Sequence, residues 1–128
     1  MKGITLTLIF FFALVNSVSS QRDFRIMFYN VENLFDTKDN PLKNDDAFTP
    51  EGNQRWYASR YWKKLHDISK VITSVGEGYP PALVGLCEVE NDSVLYDLTK
   101  RASLNRHKYN YIVTDSKDDR GMNVALLY

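Results

Sequence analysis

"LVGLCEVEN", residues 83–91, passes from an apolar run to carboxylates within a single residue step. Leu83, Val84, Gly85, Leu86 and Cys87, bounded by Pro81 on one side and Asn91-Asp92 on the other, read as a short strand buried in a sheet. Glu88 then stands at the carboxyl end of that strand. In open α/β sheets this is the edge where ligands bind. The function turns on whether other polar groups meet Glu88 there.

Upstream, "DFRIMFYN" (residues 23–30) is rich in aromatic and β-branched side chains and reads as a strand that ends on Asn30. "DTKDNPLKNDDAFTPEGNQ" (36–54), dense in Asp, Asn, Pro and Gly, reads as a long loop. Loops of that length are uncommon in compact domains unless they have a task. From Trp56 to about Val75, Tyr57, Tyr61, Leu65, Ile68, Ile72 and Val75 recur at spacings of four, four, three, four and three. This pattern predicts an amphipathic helix that stops at Gly76.

A strand, a helix and a second strand most simply form a parallel pair with a right-handed crossover. The two carboxyl ends then lie side by side, which brings Asn30 and Glu88 to one edge. A magnesium ion suits such a pair, because it takes one or two carboxylates and completes its shell with water and substrate phosphate. Taken singly, Glu88 would be a solvated strand-end carboxylate and Asn30 a turn residue; their adjacency favours a metal site. Alternation along the strand places Glu90 on the face of Glu88, as a surface charge or a supporting group. Glu32 and Asn33 read as polar loop residues.

Downstream, Asn91 or Asp92 can cap a second helix running to about Ala102, with Val94, Leu95 and Leu98 facing inward. "YNYIVTDS" (109–116) and "NVALLY" (123–128) then read as strands of a hairpin joined by "KDDRGM". There are no internal repeats. This order of elements indicates an α/β or α+β layered sheet.

The chain opens on "MKGITLTLIFFFALVNSVSSQ", in which Lys2 precedes an apolar run and then small polar residues. These are the three parts of a secretory signal peptide, so residues 1–20 are expected to be removed and the mature chain to begin at Gln21. The apolar run is short for a membrane span, and no stable membrane association is expected after cleavage. The expected location is secreted or periplasmic. Sixteen basic and sixteen acidic side chains balance, so composition lends no support to a polyanionic partner. With 44% hydrophobic and 25% charged residues, the chain is globular and long enough for one domain. Cys87 is the single cysteine, and its place in the apolar run makes it a small core residue.

"FYNVENL" followed by "LVGLCEVEN" resembles the first two motifs of the endonuclease/exonuclease/phosphatase superfamily, the deoxyribonuclease I-like fold. "DSKDDRGMNVALLY" is similar to a third segment, where an Arg-Gly pair precedes a strand. The "FDTKDNP" and "RYWKKL" stretches look closest to secreted bacterial members, and the resemblance covers essentially all of residues 21–128. It implies a four-layer α/β/β/α sandwich, of which these residues supply the first sheet portion. It further implies that Glu88 ligates a divalent metal, magnesium or manganese in its place, and that Asn30 helps hold the metal and the scissile phosphate. Arg120 would grip a phosphate oxygen; its alternative role is a solvated turn charge beside Asp118 and Asp119. Gly121 would serve the turn itself.

The implied reaction is metal-dependent hydrolysis of a phosphoester, as a nuclease-like phosphodiesterase whose substrates include nucleic acid. A phosphatase or sphingomyelinase-like enzyme and a non-catalytic exported binding module are the alternatives; no protein partner is expected. The later family motifs, a Gly-Asp-x-Asn segment and an Asp-His pair, are not in this sequence. His66 sits in the long helix, and no Asp precedes His107. Residues 21–128 therefore read as the amino-terminal part of the domain, inactive alone for want of a base. The final "VALLY" is expected to form an unpaired, self-associating edge.

Overall fold

The computed structural model of the chain describes residues 23–76 and 79–128. The expected signal peptide and the expected cleavage before Gln21 lie outside the described residues. Four strands form one mixed sheet: β1 (Ile26–Leu34), β2 (Leu83–Val89), β3 (Tyr111–Val113) and β4 (Asn123–Leu127). Their spatial order is β1-β2-β4-β3, with β1 and β2 parallel and β4 antiparallel to both of its neighbours. Helix α1 (Ala58–Ser74) makes the crossover between β1 and β2. A short helix α2 (Asp92–Tyr96) runs on through a π-helical turn at Asp97–Arg101 and a 3-10 turn at Ser103–His107 into β3. No helix among the described residues is long and apolar enough to cross a membrane. The α/β expectation holds, and this sheet with helices over one face is what the first sheet portion of a layered sandwich requires.

The helices form for the reasons their spacing gave. In α1, Tyr61, Leu65, Ile68 and Ile72 are buried, one stripe at a helical period. Each of these aliphatic side chains contributes about 1.5–3 kcal/mol relative to exposure. Tyr57 and Val75, expected on the same stripe, are exposed because they flank the helix rather than lie within it. Asn91 caps α2 by accepting from the Val94 backbone N–H over 3.1 Å, and Val94, Leu95 and Leu98 are fully buried.

Strand alternation then sorts the sheet into two unlike faces. Val31, Val84, Leu86, Ala125 and Leu127 join the α1 and α2 side chains in a single core. Ile26, Phe28, Ile112 and Val124 point the other way and are exposed. Cys87 lies half-buried on this open face rather than in the core. Phe28 pairs with Gly85, and its ring occupies the space where a Cβ at Gly85 would sit, 2.9 Å away.

Two expectations are corrected here. β4 is not an edge: it lies between β2 and β3, and the pairing extends to Tyr128 and Asn110, which exchange both backbone hydrogen bonds. The apolar surface left open is a face of the sheet. Residues 36–54 are also more than a loop, since they carry a 3-10 turn at Asp46–Phe48 whose Phe48 packs against the main core. Phe48 stacks on Phe35 at 4.2 Å between centroids and meets Trp56 edge-on, while Trp56 Nε1 donates to the Phe35 carbonyl.

Candidate metal centre

Regular pairing of β1 with β2 runs from Ile26–Leu83 to Asn30–Cys87 and then slips, resuming at Leu34–Val89. The slip has a backbone cause. Glu32 and Asn33 have φ of 54° and 60°, and Glu88 opposite has φ of 61°, all in the left-handed region. A bulge of this kind re-aims side chains that strict alternation would send elsewhere.

The result is a carboxylate held at both oxygens. Asn30 Nδ2 donates to Glu88 Oε1 over 3.0 Å, and the Asn33 backbone N–H donates to Glu88 Oε2, also over 3.0 Å. Asn30 is fixed in turn, because its Oδ1 accepts from the Glu32 N–H at 2.8 Å. The adjacency of Asn30 and Glu88 expected from the crossover is therefore present as a direct hydrogen bond. A carbonyl oxygen has two lone pairs, so the Asn30 oxygen retains one beyond the turn it closes.

Arg120 reaches the rim of this site. Its Nη1 lies 3.4 Å from Asn33 Oδ1, while Nε and Nη2 contact the two oxygens of Asp118 at 3.3 Å. These bonds to Arg120 hold the Asp118 carboxyl below the usual carboxylate range. Gly121 follows with φ of 81°, the left-handed conformation its turn requires.

Glu90 is not a surface charge. The bulge at Glu88 breaks the alternation, and Glu90 is only 7% exposed. Its Oε2 accepts from the Asp36 backbone N–H at 2.7 Å, and burial, with the charges of Asp36 and Asp45 nearby, pushes its carboxyl up to about 7. Asn33, read from sequence as a loop residue, proves to be the hub of the site. The signal available was the type itself, since Asn accepts the left-handed conformation more readily than most residues.

The donor set suits a hydrated hard cation. Glu88 meets the Asn30 amide through its nitrogen, the amide oxygen being turned to the Glu32 N–H, so a single carboxylate would leave most of a magnesium shell to water and phosphate. Among the described residues no group of three or more His, Cys, Asp and Glu is placed to hold a metal ion. Neither histidine stands at the site. His66 pairs through Nδ1 with Ser103 Oγ at 2.8 Å, and His107 lines a cleft with Arg25 and Pro81 at the amino ends of β1 and β2.

The sequence model described as the endonuclease/exonuclease/phosphatase family matches residues 25–128. No curated protein and no solved structure matches the chain.

Proposed function

Because the chain belongs to the endonuclease/exonuclease/phosphatase family, a family of phosphoester hydrolases, we propose that it forms the carboxylate wall of the metal site of an exported, magnesium-dependent phosphodiesterase. The observation that carries this reading is the Glu88 carboxylate, oriented by Asn30 Nδ2 and Asn33 N–H at the carboxyl ends of two parallel strands. A bound magnesium ion, or manganese in its place, would polarise a phosphoryl oxygen and stabilise the leaving oxyanion. Glu88 would supply the charge and Asn30 set the carboxylate's rotamer, and Arg120, whose Nη1 reaches Asn33 at the rim, would grip a phosphate oxygen. Nucleic acid is the favoured substrate, and a lipid or sugar phosphate is the alternative of the same chemistry.

The test is magnesium-dependent hydrolysis of plasmid DNA and of a chromogenic phosphodiester by the protein recovered from its native host. Glu88→Gln keeps the shape but removes the charge, and its amide nitrogen cannot accept one of the two N–H bonds from Asn30 and Asn33, so turnover should fall by more than the roughly 10–100-fold typical of supporting residues. Asn30→Ala should fall within that range. Unaltered turnover of Glu88→Gln at limiting magnesium would falsify the assignment.

A further inference from the structure

The left-handed pair Glu32–Asn33 turns its amides to one side and its carbonyls to the other. The two N–H groups bind Asn30 Oδ1 and Glu88 Oε2. On the carbonyl side stands Lys64, from the second turn of α1. Its ammonium donates to the Glu32 carbonyl and lies 3.4 Å from the Asn33 carbonyl. It also sits 5.7 Å from the centre of the buried Trp56 ring, a cation-π distance. Lys64 is half-buried, and burial lowers its pKa while the charges of Glu32 and Glu88 oppose that shift.

We propose that Lys64 is a positioning residue for the metal-binding carboxylate: it clamps the two carbonyls of the bulge so that the Asn33 N–H stays aimed at Glu88. Two consecutive non-glycine residues at positive φ are costly, and such a conformation persists only where its surroundings over-determine it. A charge-assisted bond to the carbonyls does so from the side away from the metal. The neighbouring helix cations are engaged elsewhere, Lys63 with Asp67 and Arg60 with the Gln54 carbonyl. The role of Lys64 rests on the reading of Glu88 as metal ligand, and the experiment separates the two.

The protein is labelled with 15N, and Lys64→Met, which keeps the stem over Trp56 but loses the ammonium, is compared with Lys64→Arg, which keeps donors. In Lys64→Met the Asn33 amide should exchange about tenfold faster or more, the equivalent of one charge-assisted hydrogen bond. Magnesium affinity should weaken about tenfold, the lower end for a lost supporting group, and Lys64→Arg should restore both. Positioning and bare charge pull in opposite directions here. Removing a nearby cation would by itself tighten magnesium binding. Tighter binding, or unchanged Asn33 exchange in a folded Lys64→Met protein, overturns the proposal. Where Lys64→Met does not fold, Lys64→Leu, neutral and without a donor, gives the same comparison. Wild-type protein that binds no magnesium removes the reading of Glu88, while Asn33 exchange still decides the role of Lys64.

Discussion

Asn33 donates its backbone N–H to a carboxylate oxygen of Glu88, 55 residues further along the chain, over 3.0 Å. This bond joins two left-handed bulges on neighbouring parallel strands and makes the strand ends a site rather than two frayed edges.

Backbone strain at Asn33 gives the first prediction. With φ at 60°, Asn33→Gly should fold with little loss, whereas Asn33→Val places a β-branched residue in the left-handed region. Valine should cost about 1–2 kcal/mol more than glycine, read from urea midpoints. Equal midpoints for the two variants would show that the bulge relaxes freely.

The second concerns pH. The Glu90 carboxyl is raised from 4.5 to about 7 in the folded state, so between those values the native protein holds more protons than the unfolded one. Stability should therefore be full below about pH 4.5, fall as pH rises, and level off above 7, as far as this group is concerned. One unit corresponds to about 1.4 kcal/mol, so the loss is on the order of 3 kcal/mol. Glu90→Gln, which still accepts from the Asp36 N–H, should flatten the difference between pH 5 and pH 8 in chelator. An identical slope in wild type and variant would assign it to other groups.

Self-association is the third. Phe28 is 81% and Ile112 58% exposed on one face of the sheet, together with Ile26 and Val124. An apolar face of this kind drives association unless another layer covers it. Light scattering on residues 21–128 should report oligomers, and Phe28→Glu with Ile112→Lys should shift them to monomer. Charging the paired strand β4 instead, at Ala125, should unfold the chain. A monodisperse wild-type monomer would mean that the face is tolerated in water.

Export is the fourth, motivated by Lys2, the apolar run after it and the small residues up to Ser20. Intact mass of protein from the periplasm or medium should place the first residue at Gln21, within a residue or two. Full-length chain in the cytoplasm would remove the proposal.

Much of this was legible in the sequence because local patterns carried it. The stripe Tyr61, Leu65, Ile68, Ile72 gave α1, the Asn91 cap gave α2, and the crossover rule gave the parallel pairing of β1 with β2 and the meeting of Asn30 with Glu88. Each of these is set by hydrogen bonds or side-chain periods within a few residues, or by the fixed handedness of a connection. Tertiary structure decided the rest. Alternation assigned Glu90 to the surface, but three residues at positive φ shifted the register and buried it. The place of β4 inside the sheet depends on which strand it pairs with, a choice made between segments distant in sequence. Asn33 and Lys64 entered the site only because the bulge turns its amides toward Glu88 and its carbonyls toward α1. A single residue's slip in a strand reverses its faces, and nothing local in the sequence records where that slip occurs.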